Sequence, residues 1–325
     1  MDCHLLGKTA ILVSALLLWA TLAVAAPHKV LYVDSYHHGY PWSAGITLGV
    51  NSVLADREGV VLKIVRMDTK RNPSEASKKI AALEVKSVID SWRPDLVITS
   101  DDNAAKYLVV PYFKGSSTPF VFCGVNWSAD SYGFPAPNVT GMIEVQLVAQ
   151  ILDTMRDYAT GNRVAFLKGD DLSARKEAAF FEEAIARQLD KRFVTDFTEW
   201  KKQYLALQTQ ADMIFLGNRA SINGWDDAEA LAFVLANARV PSGGWAAWVA
   251  PFALLAFANE PKEQGEWAAK TALKILDGAA PSEIPVVTNQ KATIYLNMEM
   301  AKKLNIKFPI ELIERATFTS EMGLQ

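Results

Sequence analysis

Two runs of alternating strand and helix patterns are the feature of this sequence that most restricts its fold. In each run, continuous apolar segments of buried-strand length are separated by segments whose apolar residues recur at helical spacing. Apolar strands that alternate with helices predict a parallel sheet covered on both faces. The first run has predicted strands at residues 29–34, 60–67, 95–99 and 120–125, and the second at residues 163–168, 193–198, 213–217 and 245–249. The sequence therefore predicts an α/β fold with two doubly wound parallel-sheet lobes.

Helix signals and turn-rich segments divide these runs further. Asn72, with Pro73 after it and Glu75 three residues on, predicts a helix that begins with an Asn cap. The boundary between the lobes is predicted near residues 138–144, after a turn-rich stretch. In the second run, the predicted helices are residues 174–188, 200–208 and 226–238.

The amino terminus has the pattern of a secretory signal peptide. Lys8 precedes an apolar run over residues 10–24, and small residues at 23–26 provide a cleavage site after Ala25 or Ala26. An uncleaved anchor is the alternative, but the run is short for a span of about 20 residues. The sequence thus predicts an exported, periplasmic protein whose residues 1–26 are removed. Cys123 is then the one remaining cysteine, and its apolar neighbours predict a small core residue.

Charge and motif content exclude several function classes. The formal net charge is −3 and no long basic run occurs, which gives no electrostatic footprint for nucleic acid. No zinc-ligand spacing, phosphate-binding loop, dinucleotide fingerprint or nucleophile elbow is found. We therefore expect no metal, no cofactor and no catalytic residues, although an exported hydrolase with an unfamiliar site stays an alternative.

Candidate site residues follow the predicted strands, because ligands of open α/β sheets bind beyond the carboxyl ends of the strands. Aromatic side chains there can stack on a ligand, a carboxylate can bind an ammonium or hydroxyl group, and an amide can orient a polar group. The alternatives are helix caps for the Asp residues and core packing for the aromatic residues. The predicted ligand-binding residues are Ser35, Tyr36, Tyr40, Trp42, Ser100, Asp101, Asp102, Asn103, Gly124, Asn126, Trp127, Asp170, Asn218, Trp225 and Trp245.

Five further segments are informative when they are taken together: residues 35–42 (SYHHGYPW), 67–73 (MDTKRNP), 101–104 (DDNA), 121–126 (VFCGVN) and 138–141 (NVTG). Together they resemble the ABC transporter substrate-binding family that includes tryptophan- and tyrosine-type binding proteins. The resemblance runs through most of the mature chain to residues 297–309. It implies a type I periplasmic binding fold, a Venus flytrap of two lobes that are joined by three crossings and close on a small ligand.

The lobe limits follow from the boundary and the resemblance together. The amino-terminal lobe is expected to comprise residues 27–140 plus about 262–279, and the carboxyl-terminal lobe residues 141–261 plus about 280–325. By the same likeness, residues 264–277 return to the first lobe and residues 284–288 to the second.

Two functions fit this organisation. The first is a monomeric periplasmic receptor that delivers a small organic ligand, with an aromatic or other amino acid among the candidates, to an ABC permease. The second is an extracytoplasmic sensory receptor that presents its ligand to a membrane kinase or cyclase. Both use hinge closure on a ligand bound between the lobes.

Overall fold

The computed structural model describes residues 26–219 and 221–322, without the side chain of Leu172. The predicted signal peptide therefore lies outside the described residues, apart from Ala26. Among the helices of the described ranges, none has the length and apolarity that a membrane span needs. The chain forms two sheets, each flanked by helices, and the predicted α/β fold of two mostly parallel lobes is confirmed.

The first sheet contains six strands in the order β11-β5-β4-β3-β1-β2, and every neighbouring pair is parallel. Its core is built from continuous apolar strands; for example, the side chains of β1 from Val30 to Val33 are fully buried. The strands are β1 (His28–Asp34), β2 (Val60–Arg66), β3 (Leu96–Ser100), β4 (Phe120–Asn126), β5 (Val139–Glu144) and β11 (Val287–Thr288).

The helices of the first lobe are α1 (Pro41–Leu54), α2 (Glu75–Trp92), the short α3 (Asp101–Ala104) and α4 (Val110–Tyr112), and α9 (Pro261–Leu276). A π-helical turn, Ala105–Val109, joins α3 to α4. Ser74, not Asn72, caps α2: the helix begins at Glu75, and the Ser74 hydroxyl accepts a hydrogen bond from the Ser77 N–H.

The second sheet contains seven strands in the order β13-β12-β10-β9-β8-β6-β7, in which only the β10–β12 pair is antiparallel among the described strands. The strands are β6 (Val164–Gly169), β7 (Asp190–Val194), β8 (Met213–Leu216), β9 (Ser242–Gly244), β10 (Leu255–Asn259), β12 (Ala292–Leu296) and β13 (Ala316–Phe318). The helices are α5 (Val148–Arg156), α6 (Leu172–Ala184), α7 (Phe197–Gln210), α8 (Asp227–Asn237), α10 (Met298–Lys303) and α11 (Ile310–Ile313).

Three segments of the chain cross between the two sheets: β5 to α5, β10 to α9, and β11 to β12. Helix α9 returns to the first lobe, where Gly265 lies so close to α1 that an added Cβ would be 2.0 Å from the Ile46 carbonyl oxygen. Residues 287–288 pair with β5 in the first sheet. The resemblance, in contrast, implies that residues 284–288 belong to the second lobe. Strand β5 likewise extends the first sheet to Glu144, beyond the predicted limit at residue 140.

The predicted strand at residues 245–249 is wrong. Ala247–Phe252 forms a 3-10 turn that contains Pro251, and the true strands β9 and β10 lie on either side of it. Proline lacks the N–H that a central strand must donate, which favours the turn here.

Candidate functional site in the cleft between the lobes

The carboxyl edge of the first sheet brings the loops after β1 and β3 together. The strand order reverses direction between these two strands, and such a switch point leaves a crevice beyond the strand ends. The Ser35 hydroxyl donates to the Ser100 carbonyl oxygen at 2.5 Å and accepts from the Ala104 N–H at 2.9 Å. Ser35 and Ser100 are fully buried, so they hold the two loops in register.

Asp101 is the most unusual carboxylate of this edge. It is 3% exposed and has a φ of 67°, in the left-handed region that non-glycine residues rarely adopt. The Trp42 indole N–H donates to its Oδ1 at 3.0 Å, while Oδ2 has no hydrogen-bond partner among the described residues. Burial, followed by the nearby charges of Glu144 and Asp34, raises the pKa of Asp101 well above its usual value. Such a carboxyl group is poised to bind a cationic or hydroxyl donor.

Gly124 allows the close approach of β4 to this carboxylate. An added Cβ would lie 3.4 Å from Asp101 Oδ1 and 3.5 Å from Trp42 Nε1, and the φ of Gly124 is 67°. Glycine is the residue that adopts this conformation without strain. Its N–H donates to Gln264 Oε1 of α9 at 2.9 Å, which ties β4 to the returning helix.

Asp102 has a different environment from its neighbour. It accepts a hydrogen bond from Asn126 Nδ2 at 2.6 Å and another from the Tyr132 hydroxyl at 2.7 Å. Asn103 donates to Thr69 Oγ1 at 2.8 Å and so braces the adjoining loop. Asp102 is thereby fixed with its carboxylate at the mouth of the cleft, beside Asn126.

The aromatic loop after β1 packs over the same acidic groups. The rings of Tyr36 and Tyr40 meet edge to face with centroids 5.0 Å apart, and Lys70 Nζ lies 4.6 Å from the centroid of Tyr36. Burial raises the pKa of Tyr36 well above its ordinary value, and the charges of Asp101 and Asp102 add to this effect. The Tyr36 hydroxyl therefore stays neutral and can act as a hydrogen-bond donor.

Glu144 lies at the end of β5, where hydrogen bonds connect the three chain crossings with one another. Asn259 Nδ2 donates to Glu144 Oε1 at 3.2 Å and to the Val145 carbonyl oxygen at 3.0 Å, and the Val145 N–H donates to Asn289 Oδ1 at 2.8 Å. Burial raises the pKa of Glu144 to about 7, against the hydrogen bond from Asn259, which lowers it. A titrating carboxyl group thus lies where the lobes are linked.

The cleft itself has a volume of about 530 Å³ and receives side chains from both lobes. Trp127 and Tyr132 line it from the first lobe, and Lys176 of α6 lines it from the second. The ring of Trp127 lies 6.4 Å from that of Phe180 across the cleft, and its indole N–H donates to Gln146 Oε1 at 2.8 Å. The first lobe therefore presents the carboxylate of Asp102 with the rings of Trp127 and Tyr132, and the second an ammonium group and a phenyl ring.

The predicted residues of the second lobe have other surroundings. Trp245 is 8% exposed and stacks on Phe166, so the structure assigns it to the core and not to the cleft. Trp225 packs against Trp200 with centroids 4.9 Å apart. Asp170 forms an ion pair with Arg175 at 2.8 Å, and the Asn218 carbonyl oxygen accepts from the Gly169 N–H at 3.5 Å. Of the predicted residues, Asp102, Asn126 and Trp127 line the cleft described above; these four do not, and neither do Asp101 and Trp42.

The sequence did not predict four residues in and around the cleft. Tyr132 and Lys176 line it, Phe180 faces Trp127 across it, and Glu144 pairs with Asn126 at the end of β5. None of the four has a motif of its own, and only the fold brings them together. The one available signal for Glu144 was its place at the end of an apolar stretch, which had been interpreted as a lobe boundary. Among the described residues, no group of three or more His, Cys, Asp or Glu side chains is arranged to hold a metal ion.

Residues 233–319 match the family model described as ABC transporter substrate binding protein. No curated protein matches this sequence. The matched region spans α8 to β13, so it covers the strands of the second sheet from β9 onward and the returning helix α9. The expected resemblance to this family is thereby confirmed.

Solved structures share the fold at low sequence identity. A ligand-free, open substrate-binding protein with adhesive properties from Clostridium difficile is 16% identical, with a TM-score of 0.68 over 90% of this chain and 99% of that chain. An ABC domain from Streptococcus pneumonia in complex with L-Trp is 15% identical, with a TM-score of 0.53 over the same shares. An ABC transporter substrate-binding protein from Desulfitobacterium hafniense in complex with Leu is 13% identical, with a TM-score of 0.54 over 78% of this chain and 86% of that chain.

Proposed function

We propose that this chain is a periplasmic receptor of an ABC-type uptake system, which captures a small organic ligand between its lobes and delivers it to a permease. The family match and the amino-acid complexes of two structural neighbours support this class of function. The observation that carries the proposal is the cleft, in which the Asp102 carboxylate and aromatic rings of the first lobe face Lys176 and Phe180 of the second.

The ligand we propose has a protonated amine attached to a flat apolar group. Asp101, next to the cleft residue Asp102, offers a buried carboxyl oxygen that has no hydrogen-bond partner among the described residues, and a charge-assisted hydrogen bond to an ammonium group would satisfy it. Trp42 and Trp127 offer flat faces for stacking on the apolar group. An aromatic amino acid has both features, and its carboxylate would be attracted to Lys176 across the cleft.

Hinge closure provides the mechanism of capture. A ligand that contacts both lobes binds the closed state more tightly than the open state, and this difference in affinity shifts the population towards closure. The amide side chains of Asn259 and Asn289 join the crossings and would set the axis of this motion. No residue of the cleft is assigned a catalytic role in this proposal.

Mass spectrometry of small molecules released from protein purified without denaturation tests the proposal. We expect a stoichiometric organic amine that is recovered chemically unchanged. Three matched compounds extend the test: tryptophan, tryptamine and indole-3-propionate share an indole but differ in their ammonium and carboxylate groups. The melting temperature should rise with the first two and stay constant with the third.

The possible results separate the parts of the proposal. If no small molecule is released and no amino acid or amine raises the melting temperature, the receptor function is contradicted. If indole-3-propionate binds as well as tryptamine, the role of Asp101 is contradicted while the receptor function stands. Chemical conversion of a bound ligand would indicate an enzyme instead.

A further inference from the structure

A second hollow lies outside the cleft, between α1 and the carboxyl ends of β1 and β2. It has a volume of about 240 Å³, and we call it the α1 hollow. Its lining residues include Asp34, His37, Ser43, Thr47, Leu48 and Arg66. It shares no lining residue with the cleft between the lobes. A ligand in this hollow would therefore contact residues other than those that line the cleft.

Buried polar atoms without hydrogen-bond partners converge on this hollow. Four of the eight such atoms among the described residues belong to residues that line it: Asp34 Oδ2, His37 Nδ1, Thr47 Oγ1 and Arg66 Nε. The two nearest contacts, Arg66 Nε to Asp34 Oδ2 at 3.4 Å and His37 Nδ1 to Asp68 Oδ1 at 3.6 Å, are ion-pair distances and too long for good hydrogen bonds. Burying a polar group without a hydrogen-bond partner costs free energy. The presence of four such groups around one hollow therefore points to a bound molecule.

The carboxylate of Asp34 is held rigidly for such a role. Its Oδ1 already accepts from the Tyr36 N–H at 2.9 Å and from the Ser43 hydroxyl at 2.7 Å, and the residue is fully buried. Oδ2 is therefore a fixed acceptor that the loop itself does not use. A group fixed in advance loses little conformational freedom when a ligand binds.

The chemistry of the lining selects for hydroxyl groups. Asp34 Oδ2 accepts and Arg66 Nε donates, and one hydroxyl beside this pair, within reach of both atoms, can donate to the first and accept from the second. The opposite charges offset each other: Asp34 would repel a free anion and Arg66 a free cation. Thr47 offers another hydroxyl partner, and the exposed side chain of Leu48 offers an apolar wall for C–H groups. We propose that the α1 hollow binds a small polyhydroxylated molecule, of the size of a monosaccharide or smaller.

Saturation-transfer NMR on the full mature chain tests this proposal with glycerol, glucose and myo-inositol as probes and glycine as the zwitterionic comparison. We expect saturation transfer to at least one polyol, with affinity reduced about tenfold by Thr47→Val and by Arg66→Met, since each removes one hydrogen bond to the ligand. The variant Asp102→Asn, in the cleft, should leave this signal unchanged.

Two measurements keep the result interpretable. Unchanged melting temperatures of Thr47→Val and Arg66→Met would show that both variants fold, and tryptamine binding by the same variants would show that the cleft is intact. Absence of transfer to every polyol, transfer that persists in both variants, or transfer to glycine alone would each overturn the proposal.

Discussion

The strand-end edges of the two lobes carry the same sequence pattern and use it differently. In the second lobe, Asp171 caps α6 by accepting from the Ala174 N–H at 2.6 Å, and Asp226 caps α8 through the Glu229 N–H at 2.8 Å. In the first lobe, Asp101 follows β3 in a left-handed conformation and makes no cap hydrogen bond to α3. An Asp pair before a helix therefore has no fixed role, because its surroundings determine whether it stabilises the helix or faces a ligand.

Aromatic residues show the same contrast. In the second lobe, Trp245 stacks inside the core against Phe166 and Phe181. In the first lobe, the indole N–H of Trp127 donates to Gln146 beside the cleft, and that of Trp42 donates to the buried carboxyl group of Asp101. We therefore expect the second-lobe residues to determine stability and the first-lobe residues to determine affinity.

The substitution Trp245→Ala should give the largest effect in this comparison. Removing a buried Trp creates a cavity and should lower the free energy of unfolding by about 3–5 kcal/mol. Chemical denaturation measures this loss, and the protein that remains folded should keep its affinity for the cleft ligand. Trp42→Ala is the matched control, with a smaller loss of stability and a clear loss of affinity. A loss of affinity without a loss of stability in Trp245→Ala would contradict the expectation that the second-lobe residues determine stability and the first-lobe residues determine affinity.

The substitution Asp101→Asn tests the first-lobe edge directly. It keeps the shape of the side chain but removes the charge that would pair with a ligand ammonium group, and affinity should fall by about 2 kcal/mol or more, roughly 30-fold. The free energy of unfolding should not fall, because burial already opposes the ionised form of Asp101 and raises its pKa. Calorimetric titration with the compound released from the native protein measures the first effect. An unchanged affinity would remove Asp101 from the site.

Glu144, at the carboxyl end of β5, predicts a pH dependence of stability at the first-lobe edge. Its folded-state pKa, about 7, lies above its ordinary value of 4.5, so its contribution to stability is fully present below about pH 4.5 and is lost as the pH rises through 7. The loss should be on the order of 1–2 kcal/mol, which allows for partial solvent screening. Unfolding measured between pH 4.5 and 8 should show this slope in the wild type and a flatter profile in Glu144→Gln. Equal slopes would contradict the raised pKa.

The sequence was sufficient for the parallel strands that are continuous apolar runs, such as β1 and β4. The sequence did not predict β9, because its residues Ser242–Gly244 contain no apolar side chain. Gly243 packs there against α5, where an added Cβ would lie 2.5 Å from Ile151 Cγ2. Tertiary packing selects glycine at this position, and a propensity pattern cannot show that.

The site was predictable to the extent that neighbouring strand ends meet. Asp102 and Asn126 follow adjacent strands β3 and β4, and the structure joins them by a hydrogen bond of 2.6 Å. Glu144 and Tyr132 reach the same place through a strand and a loop that local patterns did not reveal. The Trp residues of the second lobe were ambiguous for a physical reason: a large aromatic side chain after a strand can stack on a ligand or complete a core, and only burial distinguishes the two.

The smallest expected effect comes from the Asp pair of the second lobe. Asp171→Ala removes the cap of α6 and should lower the free energy of unfolding by about 1 kcal/mol, with no change in ligand affinity. Asp170→Ala removes a partly exposed ion pair with Arg175 and should cost less, between about 0 and 1 kcal/mol.

Denaturation and calorimetry on these two variants, beside Asp102→Ala in the first lobe, give a direct comparison of the two Asp pairs. Because Asp102 is bonded to Asn126 and Tyr132 at the cleft, only its variant should lose affinity. A loss of affinity in Asp171→Ala would mean that α6 positions Lys176 through its cap, and both edges would then belong to the binding site.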